Sequence, residues 1–230
     1  MPQNQKSLII SILVAAVLIA GSIFYYTINV KKYNSSNNLT NQNQEASKTA
    51  SVIDARKVDI SNEFFLGNEN APVTIIEYSS YFCGHCIAFH KEKLPLLKKD
   101  YIDTGKVKFI DRAFPAELAQ AVFCAGEQNK YWDFSNYLFE NTQELVDKIK
   151  TVNDIASTTK DIAKKLGLDE KKFADCYASG KYQNKLQQWN NDAQAAQVEG
   201  TPTFFINGEE IVGDQPYEVF KATIDKLLNK

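Results

Sequence analysis

Val73-Thr74-Ile75-Ile76-Glu77-Tyr78, followed a few residues later by Phe82-Cys83-Gly84-His85-Cys86-Ile87, decides how this chain is read. The first run is apolar and β-branched, as a strand should be, and a helical pattern follows the second. A strand that feeds a helix in this way puts both sulfurs of the Cys-x-x-Cys pair at a helix N-terminus. There the unpaired backbone N–H groups and the positive end of the helix dipole favour the thiolate of Cys83, and His85 adds a donor or a charge. Each unit by which the thiol pKa falls favours the anion by about 1.4 kcal/mol. A stabilised thiolate leaves easily, so the disulfide form is reactive.

The same spacing opens zinc ribbons, and it also occurs as an inert staple. Zinc sites usually need a second pair of ligands, and beyond the motif the chain offers only Cys124, Cys176 and His90. Cys86 and His90 are four apart on one helical face. A three-ligand metal site of Cys83, Cys86 and His90 is therefore the alternative from a different class.

Working outward, 230 residues suffice for one good-sized domain plus an appendage. Lys and Arg number 26 against 28 Asp and Glu, which leaves no bulk charge to draw the chain to nucleic acid. The two histidines, His85 and His90, both stand beside the motif, and four cysteines suit an oxidising compartment. Residues 8–28 are uncharged and apolar apart from Ser11, Ser22 and Thr27, and as a helix reach about 31 Å, enough for the hydrocarbon core. They read as a transmembrane signal-anchor rather than a cleaved signal peptide, since no small-x-small site follows. Residues 29–54 are rich in Asn, Gln, Ser and Thr and read as a flexible tether of roughly 28 Å mean span.

The folded part begins near residue 56. A turn over 67–72 precedes the strand 73–78, a helix runs to about residue 100 with a kink at Pro95, and a second strand covers 106–111. Strand, helix and strand in that order predict a right-handed crossover with parallel strands. A helical stretch from Pro115 to about Gln197 follows, cut by Gly126, Asn153-Asp154, Gly167 and Gly180 into four to six helices. Its aromatic residues, Phe123, Tyr131, Trp132, Phe134, Tyr137, Phe139, Phe173 and Tyr177, read as packing. Two short strands, 203–206 and 209–212, flank Asn207-Gly208, a strong hairpin signal, and a helix over 216–228 closes the chain.

With these elements in place the sequence resembles the DsbA family of thiol-disulfide oxidoreductases. Three blocks carry the resemblance: Leu66 through Thr74 leading to Cys-Gly-His-Cys, Ala125-Gly126-Glu127-Gln128-Asn129-Lys130-Tyr131-Trp132, and Gly200-Thr201-Pro202-Thr203-Phe204-Phe205-Ile206-Asn207-Gly208. The resemblance implies an α/β, thioredoxin-like sandwich, a mixed sheet flanked by helices, over residues 55–114 and 198–230. An all-helical insertion occupies 115–197, with the anchor at 1–28 and the linker at 29–54.

The family further implies that Cys83 is the nucleophile, that Cys86 resolves the mixed disulfide, and that His85 sets the stability of the Cys83 thiolate. Thr201-Pro202 matches the loop opposite the motif, where the bond before Pro202 is expected to be cis, a form found in only about 5% of X–Pro bonds. The Thr201 backbone would pair with an extended substrate strand. Glu77 matches a buried acid that tunes the active site in this family; a carboxylate there can take the proton of Cys86 provided burial raises its pKa toward neutrality, an outward-facing strand glutamate being the alternative. Cys124 and Cys176, both in the insertion, are expected to pair, with free buried thiols as the alternative. Gly84 stands where the best-known members have Pro, and Gly-His is also the dipeptide of protein disulfide isomerases. The resemblance thus brackets the potential between about −180 and −120 mV and leaves isomerase or reductase activity as the alternative to an oxidase. It implies no cofactor. The expected partners are reduced exported polypeptides and a DsbB-like membrane reoxidant, met at the periplasmic or other extracytoplasmic face.

Overall fold

The computed structural model describes residues 58–229. The expected anchor at 8–28 and the whole of the expected linker at 29–54 therefore lie outside the described residues, and among those described no helix is long and apolar enough to cross a membrane. The sheet has five strands: β1 (Leu66–Gly67), β2 (Val73–Ser80), β3 (Val107–Phe114), β4 (Thr203–Ile206) and β5 (Glu209–Val212), in the order β1-β3-β2-β4-β5. β2 and β3 are parallel, and the other three pairings are antiparallel. β2 and β3 each run past the expected ends, to Ser80 and Phe114. β1 falls where a turn is expected; two residues are too few to show alternation. Gly67 has φ +95°, and a Cβ there would strike the Val107 carbonyl.

Period-two alternation sorts the side chains of the central strands. Val73 and Ile75 of β2, with Val107 and Phe109 of β3, join Phe89, Leu94, Leu97, Phe204, Phe220 and Ile224 in one buried core. Ile76, Tyr78 and Ile110 face the other way, toward Phe205 and Ala193. The first core lies under the helix that follows β2 and under α8 (Tyr217–Leu228). Phe89 is fully buried among Phe204 (ring centroids 4.5 Å apart), Phe220 (5.4 Å) and Phe109 (6.3 Å). Burying such a ring stabilises by about 1.5–3 kcal/mol.

Helix α1 runs through four consecutive segments: Gly84–Ala88, Phe89–Lys93, Leu94–Leu97 and Lys98–Ile102, the second and fourth wound in wider π-type turns. The disturbance expected at Pro95 takes this form. Pro95 has no N–H to donate one turn back, and the neighbouring Leu94 N–H reaches to the Phe89 carbonyl, five residues away.

Between β3 and β4 lie six helices: α2 (Ala116–Gly126), α3 (Tyr131–Glu140), α4 (Thr142–Lys148), α5 (Asn153–Lys165), α6 (Glu170–Ser179) and α7 (Gln183–Ala195). α2 is buried from Leu118 to Gly126 and forms the centre of the insertion, as its Ala-rich, nearly uncharged sequence requires. A methyl group at Gly126 would overlap the ring of Phe64. Cys124 and Cys176 are joined in a disulfide that ties α2 to α6. α6 is bounded by an Asp169 cap on the Lys172 N–H and by Gly180 at φ 63°.

Candidate active site

β2 ends at Ser80, and the turn through Tyr81 and Phe82 delivers Cys83 to the N-cap position of α1. Cys83 is extended there (φ −90°, ψ 119°); its N–H donates to the Ser80 carbonyl at 3.1 Å and its carbonyl accepts from Ile87 N–H at 3.0 Å. Cys83 and Cys86 are both free thiols, the first half-buried and the second completely buried. Cys86 sits in the same core as Tyr81, Leu118 and Phe139, so the insertion closes over it. Phe82, by contrast, is 40% exposed beside the motif.

This difference in burial separates the two thiols. For Cys83, partial burial opposes ionisation. A hydrogen bond from the Thr201 side chain, the backbone N–H groups of Cys86 and His85, and the Cys86 side chain outweigh it and hold the thiol below its ordinary value. For Cys86, burial first and the nearby Glu77 second push the thiol far up, despite a 3.4 Å hydrogen bond from Ser80 N–H to its sulfur. Cys83 is thus the more readily ionised of the two sulfurs, and Cys86 the guarded thiol.

The loop before β4 stands opposite. The Thr201–Pro202 bond is cis, and the Cys83 thiol donates to the Thr201 carbonyl at 3.2 Å. The Pro202 carbonyl accepts from Gly213 N–H at 2.8 Å, which fixes the loop to the segment after β5. Residues 118 positions apart are thereby in contact at the sulfur. A second cis bond, Phe114–Pro115, has no local signal in the sequence. His85 is exposed on the first turn of α1.

Glu77 lies behind Cys86, completely buried, on the Val73–Ile75 face of β2. Its Oε2 is 3.0 Å from Nε2 of His90, whose ring stacks on Phe139 with centroids 3.7 Å apart. Burial first, and Asp214 second, raise the Glu77 carboxyl well above the usual carboxylate range. Burial lowers His90 to about 4 against the opposing pull of Asp111. Asp111, paired in register with Glu77 on the neighbouring strand, is raised to about 7 by burial and then by Glu77.

The metal alternative built on Cys83, Cys86 and His90 is not supported. His90 turns to Glu77 and Phe139 rather than to the sulfurs, and among the described residues those three do not come together as a ligand set. The sets that do are Glu77, His90 and Asp111, and Cys124, Glu127 and Cys176, the latter already holding a disulfide. Asp111 is the residue that sequence reasoning passes over. Its parity with Val107 and Phe109 was the available signal.

The sequence model of the thioredoxin family matches residues 59–226. The chain belongs to the thioredoxin-fold disulfide oxidoreductases of the DsbA type. It is 32% identical over 180 residues to a putative protein-disulfide oxidoreductase of Rickettsia felis, covering 76% of this chain but only 63% of that relative's length. It is 28% identical over 206 residues to disulfide bond formation protein D of Bacillus subtilis, covering 84% of this chain and 86% of the relative. Among solved structures, Wolbachia pipientis alpha-DsbA1 superposes with a TM-score of 0.63 at 27% identity, over 75% of this chain and 94% of that one. The mixed sheet flanked by helices, with its helical insertion, is this family's architecture.

Proposed function

We propose that this chain is an oxidase that donates a Cys83–Cys86 disulfide to exported proteins. The observation that carries the reading is the unequal pair of thiols at the start of α1, with the Cys83 thiol 3.2 Å from the Thr201 carbonyl. A substrate thiolate attacks the Cys83 sulfur, the Cys83–Cys86 bond breaks, and its electron pair goes to Cys86, which takes a proton from Glu77. A second substrate thiolate attacks the substrate sulfur of the mixed disulfide, and Cys83 leaves as the thiolate that its surroundings favour. The same asymmetry drives the oxidising direction, because a stabilised Cys83 anion is a good leaving group.

Thr201 offers its backbone to an extended substrate beside the nucleophile, with Pro202 shaping the loop, and His85 tunes the thiolate from the exposed side. Reoxidation of Cys83 and Cys86 falls to a DsbB-like membrane protein, in keeping with relatives named for disulfide bond formation. Residues 8–28 anchor the chain with the folded part on the extracytoplasmic face, tethered through 29–54. The folded part divides into 55–114 with 198–230, and the insertion 115–197.

The test is oxidative folding of a reduced, unfolded secretory protein by the preoxidised chain, beside a Cys86→Ala variant that traps mixed disulfides. Rapid disulfide formation, with adducts on the variant, is the expected result. Reshuffling of scrambled disulfides without net oxidation would make it an isomerase instead. Membrane fractionation of the full chain against one lacking residues 1–54 checks the anchor.

A further inference from the structure

Three buried polar atoms beneath Cys86 have no hydrogen-bond partner: Glu77 Oε1, His90 Nδ1 and Asp111 Oδ2. They belong to three residues that each offer a ligand or proton-carrying atom within 4.8 Å of the others. Glu77 and Asp111 are 0% and 1% exposed, and the His90 side chain 4%. Burying such groups without a hydrogen-bond partner is costly, so each calls for an explanation. Two strands put the carboxyls side by side on one face, and α1 lays the imidazole against them.

We propose that His90 and Asp111 are positioning residues for Cys86, acting through Glu77 as one proton-sharing cluster. The inference rests on the exchange chemistry proposed above and deepens it. Its basis is the amphoteric imidazole: Nε2 accepts from Glu77 while that group is a carboxylic acid, and a protonated Nε2 donates once it is a carboxylate. His90 therefore satisfies Glu77 on both sides of the proton transfer. Asp111 biases the transfer, because two adjacent buried carboxyls resist ionising together.

Every group facing Glu77 enters this balance: His90 and Cys86 from α1, Asp111 from β3, Tyr81 after β2, and Asp214 after β5, which is paired to Lys93 at 2.9 Å. Asp111 is itself held by Ser79, whose hydroxyl donates at 2.6 Å, and lies near Tyr131. Burial and the neighbouring Glu77 raise Asp111 to about 7, and a charge on either carboxyl opposes a charge on the other.

The test uses a preformed mixed disulfide between Cys83 and glutathione in the otherwise complete protein. Glu77 takes the Cys86 proton, the Cys86 sulfur attacks Cys83, and glutathione leaves as its thiolate. Its release is followed from about pH 5 to 9. Asp111→Asn should move the midpoint of that rise about one unit lower, a tenfold faster release on the rising limb. His90→Leu should slow release about tenfold or more, and His90→Gln, which keeps a donor and an acceptor, should recover most of it. The pH midpoint for Cys83 alkylation in the reduced protein should stay put in all three.

An unchanged release profile in Asp111→Asn, no recovery in His90→Gln, or a matching shift in Cys83 alkylation overturns the inference. So does stoichiometric zinc retained by the reduced protein and lost in Asp111→Asn, which would make the cluster a metal site. If the unaltered protein fails to oxidise a reduced secretory protein, the proposed function fails instead, and the two failures are distinguishable.

Discussion

Asp111 and Arg112 are consecutive on β3, point to opposite faces of the sheet, and are both buried, yet their surroundings have opposite characters. Arg112 reaches Glu63 at 3.0 Å, Asp192 of α7 at 2.6 Å, the Tyr78 hydroxyl at 3.1 Å and the Asp59 carbonyl at 3.0 Å; Lys185 adds a second cation on Glu63 at 3.2 Å. Two cations meet two anions. Asp111 and Glu77 have no Lys or Arg partner among the described residues, only the imidazole of His90 and the Ser79 hydroxyl. A balanced buried cluster holds its charges fixed and fastens α7 and the segment before β1 to the sheet. An unbalanced one keeps protons that can move, and it lies next to the sulfur that must gain and lose one.

The largest effect should come from breaking the balanced side. Arg112→Met leaves Glu63 buried without its main partner and should destabilise by about 3–5 kcal/mol, read from denaturant unfolding. The Cys83 alkylation midpoint of the folded remainder should be unchanged; a shift would mean the faces are coupled. Next, replacing Cys124 and Cys176 together by Ala removes a bond spanning 52 residues and should cost about 2–4 kcal/mol, again without moving that midpoint.

Asp111→Asn should instead change the pH dependence of stability. Because the folded Asp111 carboxyl lies near 7 and an unfolded one near 3.8, its contribution is fully present below about pH 4 and lost as pH rises through about 7. His90 runs the other way, contributing above its ordinary value and losing that contribution as pH falls through about 4. Urea titrations across this range should show the decline that Asp111 causes between about pH 4 and 7 removed in Asp111→Asn, a difference on the order of a few kcal/mol at pH 7, with the His90 limb kept. The smallest effect is that of Ser79→Ala. Losing its hydrogen bond should cost about 1 kcal/mol and shift the Asp111 titration, followed by carboxyl carbon NMR, to higher pH.

Much of the fold was legible in the sequence and little of this contrast was, for physical reasons. The strand pattern of 73–78, the Asn207-Gly208 hairpin and the helical insertion are local signals, written in periodicity and turn chemistry. Strand parity alone puts Glu77 on the side of Val73 and Ile75, and the same counting on β3 would have singled out Asp111. The two-residue strand at Leu66–Gly67 and the wide turns around Pro95 escaped because neither has a periodicity of its own. Arg112 looked like any strand arginine until Glu63 and Asp192, 49 and 80 residues away, were seen to surround it.

The sequence by itself determined that two sulfurs would stand at the mouth of a helix after a buried strand, since spacing and backbone dipoles act over a few residues. Only the tertiary structure decided that those sulfurs would be unequal. Burial and charge are sums over everything nearby, and what lies near Cys83 and Cys86 includes Thr201, Leu118 and Phe139, brought there by folding from distant parts of the chain.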